Sequence, residues 1–172
     1  METVQYNPEL EKIRGLALYD VIIATGLEND IKVINLVTTM NNESDEKQLE
    51  ACNKLLGQPE STVTQIALLM SLNFGDPRAN IVSLEKFIQG HDNNETNPVI
   101  KYFAKLKLAQ NHGEIGGTEE DEEHVNSALK TLKDVVDNDK DELLKKNKNL
   151  GGAFYATYIG CISAESETVS VN

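Results

Sequence analysis

Four residues close together in the chain have the types needed for metal or proton chemistry: His112, Glu114, Glu120 and His124. They flank and enter the run "GGTEEDEEHVN", residues 116–126, which holds two glycines, five acids and one of the chain's three histidines. On one helix face Glu120 and His124 stand four apart, a spacing that lets a carboxylate and an imidazole share a divalent cation. Asp121 and His124 form an Asp-x-x-His step, a shortened version of the Glu-x-x-His step used in carboxylate metal sites of helical bundles, and no second copy occurs in the chain. A metal-dependent helical enzyme or ion-binding protein is therefore one reading of this run. The other is purely conformational. Gly116-Gly117 is then a loop, Thr118 an N-cap, and Asp121, three residues on, half of a capping box. Glu119, Glu120, Asp121 and Glu122 fill a first helical turn, where the helix dipole favours negative charge. This reading accounts for every residue of the run and is preferred, so no metal, cofactor-binding or catalytic residue is assigned.

The other reactive-looking stretches have weaker grounds. "DNDKDE", residues 137–142, resembles the start of a calcium loop, but that loop requires glycine at its sixth position and glutamate at its twelfth. Those places hold Glu142 and Lys148, and a solvated turn is expected. His91 and His112 fall in expected loops. No Ser, Cys or Lys sits in a nucleophile motif. The Gly-Gly pairs at 116 and 151 lack the strand-to-helix context and lysine of a phosphate loop. Cys52 and Cys161 are too few and too far apart in sequence for a disulfide framework or a zinc pattern. The stripe Ile66, Leu69, Met70 and Phe74 reads as core, with a partner-helix groove as the alternative.

The elements that must position these residues are marked by prolines. "YNPEL", "GQPES", "GDPRA" and "TNPVI" each place proline where a helix can begin, and three follow Asn or Asp, good N-capping residues. Apolar spacing of three and four predicts helices over about 8–24, 45–56, 59–74, 77–89, 98–110 and 119–137. Residues 30–40 are rich in β-branched side chains, so strand competes with helix there. A short polar helix carrying Leu143, Leu144 and Leu150 follows. Residues 152–162, within "GAFYATYIGCI", have a mixed pattern readable as helix or buried strand, with helix preferred. The domain is expected to span residues 1–165, with 166–172 a flexible tail. The fold class is thus all-α: a compact array of about seven to nine short antiparallel helices.

Residues 72–94, "LNFGDPRANIVSLEKFIQGHDNN", join a helix end, a tight Gly-Asp turn, a second helix and an Asp/Asn-rich turn. In "VNSALKTLKDVVDNDKDE", residues 125–142, Ala128, Leu132 and Val135 repeat the spacing of Asn80, Leu84 and Phe87. Over about residues 60–142 the chain resembles the tetratricopeptide-like helical repeat family. Gly75 matches the turn glycine and Leu84 the large apolar position of the second helix. Ala104 and Ala128 fall near the small-residue positions, whereas Leu68 and Asn80 depart from them, and "NHGEIGGTEED" is an insertion where a tight turn belongs. The resemblance implies hairpin stacking and a scaffold or adaptor that binds a protein partner, with no groove residue assignable from the motif.

The chain's 172 residues carry a net charge of -12, 40% hydrophobic and 5% aromatic residues, and no Trp. One domain with a Leu/Ile/Val/Ala core follows. The charge repels phosphate, which argues against direct nucleic-acid binding and against anionic membranes. It reads first as plain solubility, and otherwise suits a basic protein partner or, alternatively, an acidic inhibitor that mimics nucleic acid. The start "METVQYNPEL" has no signal-peptide pattern and no apolar run reaches membrane-spanning length. The triplets at Asn42 and Asn94 then read as chance glycosylation matches. The expectation is a non-enzymatic protein–protein interaction module, cytoplasmic, alone or as a subunit of a complex.

Overall fold

The computed structural model describes residues 6–170, with side chains described through Ala164. Its described residues form ten α-helices and no strand. They are α1 (Pro8–Lys12), α2 (Ala17–Ala24), α3 (Ile31–Asn42), α4 (Asp45–Leu56), α5 (Thr62–Ser71), α6 (Pro77–Gly90), α7 (Pro98–Glu119), α8 (Glu122–Asp137), α9 (Leu143–Lys146) and α10 (Lys148–Ser170).

The three Asx-Pro starts work as local chemistry requires. Asn7, Asp76 and Asn97 each accept a first-turn N–H, from Glu9, Arg78 and Val99, and proline stands at the first position, where no donor is lost. The fourth proline does not start a helix. α5 begins at Thr62 because Ser61 and Thr64 form a reciprocal capping box, a better cap than Gln58 can offer. It ends at Ser71, short of Phe74. Residues 31–42 are helical, capped by Asp30 at two N–H groups, and Val33, Leu36 and Val37 form one buried stripe. That stripe outweighs β-branched propensity.

The expected helix over residues 8–24 is two helices. Ile13 turns fully inward, 1% exposed, and the chain re-enters helix only at Ala17. Asn149 fills the break, its Nδ2 donating to the Arg14 carbonyl at 2.6 Å. A tertiary contact thus stabilises an interruption that Gly15 makes inexpensive. The expected end of α7 at Gln110 also fails: the helix runs on to Glu119, through all but the last two residues of the insertion. Asn111, His112, Ile115 and Gly116 are all buried, so packing overrides the cost of three helical glycines. Leu150 belongs to α10, not to the short α9. Residues 152–162 are helix. α10 is traced to Ser170; of the tail expected over 166–172, the side chains and residues 171–172 lie outside the described residues.

α7 is the central helix, packed against α2, α5, α6, α8 and α10. Its buried Ile100, Phe103, Ala104, Leu106 and Ala109 form the middle of one contiguous core. α3, α4 and α5 pack in succession on one side, and α10 returns to cover α2, α7 and α8. No helix of the described residues is long and apolar enough to cross a membrane.

Candidate functional site

Two regions hold the features that bear on function: the junction of α7 and α8, and the cleft between α8 and α10. At the junction, α7 stops at Glu120, whose left-handed backbone (φ 51°) ends the helix by bonding its N–H to the Gly116 carbonyl. Asp121 then caps α8, accepting the N–H groups of Glu123 and His124 at 3.1 and 3.3 Å. Gly116 lets the two helices close: a Cβ there would lie 2.5 Å from Val125 Cγ2 and 3.1 Å from the Val125 nitrogen. The expected loop at Gly116-Gly117 is therefore helix. Thr118 is no N-cap, its hydroxyl donating back to the Glu114 carbonyl at 2.7 Å.

Of the four metal-type residues, the structure brings two together. His112 and His124 face each other with Nδ1 to Nδ1 at 2.8 Å. Arg78 Nη1 lies 3.4 Å from His124 Nε2. Because guanidinium only donates, His124 Nε2 accepts, its Nδ1 carries the proton, and that proton is donated to His112 Nδ1. Burial, and then His124, hold His112 below the ordinary imidazole pKa, with Glu85 opposing. Arg78 is also paired with Glu119. Glu114 and Glu120 are exposed and do not join the pair. Glu120 lies outside both helices, so it shares no helical face with His124. Among the described residues no three His, Cys, Asp or Glu side chains are grouped to hold a metal. A chain of donors and acceptors runs from Glu119 through Arg78 and His124 to His112 and links α6, α7 and α8.

The remaining polar candidates are likewise occupied. His91 does not lie in an open loop: it caps α6, stacks on Phe87 with ring centroids 4.0 Å apart and bonds Glu60 at 2.6 Å. That bond holds the Glu60 carboxyl below its usual range. Asn80, where a repeat would place a small residue, is buried and donates to the Leu72 and Phe74 carbonyls and to Asn111 Oδ1. Lys107 donates to Asn73 beside the Phe103 ring, and burial pushes its pKa down to about 8. The 137–142 turn is more than solvated chain. Asp139 accepts the Leu143 and Leu144 N–H groups at 2.9 and 3.1 Å and the Tyr102 hydroxyl at 3.0 Å. Burial, and then Asp139, push that phenol up to about 12, so it stays a donor.

The cleft differs in kind. It is an open groove of about 930 Å³ between α8 and α10, with Leu144 of α9 also in its lining. Leu132 and Phe154 form its floor, at 1% and 2% exposure, and Phe154 meets Tyr102 edge-on at 6.4 Å. Gly151 lies directly against the Leu144 carbonyl, with no room for a Cβ. Asp20 of α2 fixes the start of α10, accepting the N–H groups of Asn149 and Leu150 at 2.7 and 2.9 Å. The walls are exposed apolar side chains: Val136 at 58%, Tyr155 at 67%, Tyr158 at 42% and Ile162 at 41%. Lys130, Lys133 and Asp137 complete the α8 side.

α10 is thus apolar on two faces. Leu150, Phe154 and Cys161 point inward, while Tyr155, Tyr158, Ile159 and Ile162 make an exposed stripe at i, i+3, i+4 and i+7. A helix apolar all round is normally buried all round. The mixed pattern of "GAFYATYIGCI" was the sequence signal of this site, legible only as two overlaid stripes. By contrast Ile66, Leu69 and Met70 are core, at 0%, 0% and 5% exposure, and form no groove. No protein-family model matches this chain, and no curated protein and no solved structure does.

Proposed function

We propose that this protein is a non-catalytic interaction module that docks a helical segment of a protein partner in the α8–α10 cleft. The observation that supports this reading is the cleft itself. Two tyrosines, a residue type enriched in interface hot spots, and aliphatic side chains stand exposed over a fixed apolar floor. A groove flanked by two helices accepts a third helix by its apolar face. The three histidines are engaged in bonds that hold helices together, and Glu114 and Glu120 stand apart from them, which favours binding over catalysis.

Contacts between consecutive helices, α3 with α4, α4 with α5, α6 with α7 and α7 with α8, support a hairpin stacking similar to the tetratricopeptide-like repeat. Buried, unpaired Cys52 and Cys161 suit a reducing compartment such as the cytoplasm.

The test is in-cell photo-crosslinking. A benzoylphenylalanine at position 155 is expected to give discrete protein adducts that vanish when Ile162→Asp is added. The same group at Val82, exposed on α6, is expected to give none. Equal labelling from both positions removes the cleft as the docking site.

A further inference from the structure

The cleft's charge is opposite in sense to the chain's. The whole sequence carries -12, yet residues 125–164 hold six lysines against five acids. Two of those lysines, Lys130 and Lys133, stand three apart on α8 and line the cleft. Both are exposed, and among the described residues neither ammonium has a carboxylate partner within salt-bridge distance. Asp137, one turn further along, closes that wall. The facing wall, on α10, presents Tyr155, Tyr158 and Ile162 and, among the described residues, no ionised group.

Resting on the docking reading above, we infer that the occupant is an amphipathic helix with an acidic edge, its apolar face in the cleft and its carboxylates against Lys130 and Lys133. Total charge alone points to a basic partner. Screening limits that field to about 8–10 Å at physiological ionic strength, so at contact the two cleft lysines decide the sign. The edge facing α8 carries acids opposite Lys130 and Lys133 and an uncharged residue opposite Asp137. The edge facing α10 carries groups that bond phenol hydroxyls or pack on the rings. A second copy of the chain fits this surface less well. An isologous contact through this cleft sets the same wall, two lysines to one aspartate, on both sides.

The probe is a displayed library of 18-residue helices. Their apolar face varies among Leu, Phe and Ala, and their two edges vary among Glu, Gln and Lys. Selection is on the intact protein. Binders are expected to be lost on Tyr155→Ala and Ile162→Asp, and to carry Glu over Lys on one edge only. The expected enrichment is roughly three- to tenfold, the scale of one or two exposed ion pairs. It should shrink at high salt and reverse on the Lys130→Glu/Lys133→Glu variant. Cleft-dependent binders with basic or unbiased edges overturn the acidic-edge inference and leave the docking reading standing. Binders that ignore Tyr155→Ala and Ile162→Asp, or no binders, count against the docking reading itself. Two further results overturn the inference: a dimer dissociated by Ile162→Asp, or binding to 3:1 phosphatidylcholine–phosphatidylserine vesicles that Ile162→Asp abolishes.

Discussion

The α7–α8 junction and the α8–α10 cleft share a helix and differ in almost everything else. The junction holds the residues with reactive chemistry, and their polar atoms are largely turned on one another. His112 accepts from His124, His124 from Arg78, and Arg78 also pairs with Glu119. The cleft has no reactive constellation, and its exposed side chains have little to pack against. Residue type therefore points to the first region and unsatisfied surface to the second. For a folded chain the second is the better guide to function. A bond made inside the protein is not available to a ligand, whereas exposed apolar area lowers the free energy of any complex that covers it.

Both regions rest on a glycine at a close approach, and breaking either should have the largest effect. Gly116→Ala forces a Cβ onto Val125, and Gly151→Ala forces one onto the Leu144 carbonyl. Each is expected to destabilise by about 1–3 kcal/mol, despite the better helix propensity of alanine. Gly152→Ala, with nothing within 4 Å of its Cβ, should instead stabilise by about 0.5–1 kcal/mol. Urea denaturation of the three variants checks this; equal behaviour at 151 and 152 contradicts the close approach.

Asp20→Ala comes next. It removes the acceptor of two first-turn N–H groups of α10 and is expected to cost about 1–2 kcal/mol. Hydrogen exchange should show faster opening at the start of α10, and with it at the cleft, while the junction amides stay protected.

The histidine pair sharpens the contrast through pH. His112 is held below the ordinary imidazole value in the folded chain, and the unfolded chain takes up its proton near 6.5. Between that value and the lower folded one the unfolded state binds more protons, so stability falls as pH falls. The melting temperature should drop as pH is lowered from 7.5 toward 5, and His112→Gln should flatten that slope. Carboxylates held low, such as Glu60, act in a more acidic window. A slope unchanged in His112→Gln would remove the neutral pair.

The smallest stability effects are expected at the cleft surface. Tyr155→Ala should change stability by no more than about 0.5 kcal/mol, since its side chain is mostly exposed, yet it should weaken partner binding more than tenfold. A large loss of melting temperature with no loss of binding would reverse the roles given to the two regions.

What could be read directly from the residues was local. Asn7, Asp76 and Asn97 cap helices because a side chain and an N–H two residues away need no other element. α4 starts and stops where expected, over residues 45–56, for the same reason. Charge also needs only a count. Misreadings arose where a distant partner decides. Gly116-Gly117 looks like a loop until Val125 packs on Gly116. Glu120 looks like the partner of His124 until α7 runs past its expected end.

The sequence by itself determined that this chain is helical, where α1, α4, α6 and α7 begin, and that it carries a net charge of -12. Those properties come from hydrogen bonds and side-chain spacing within a few residues. Only the tertiary structure decided that two histidines meet, that Asp20 caps a helix 129 positions away, and that one stripe of α10 is left facing water. Burial belongs to a pair of surfaces, and a single strand of sequence specifies one of them without saying which other will cover it.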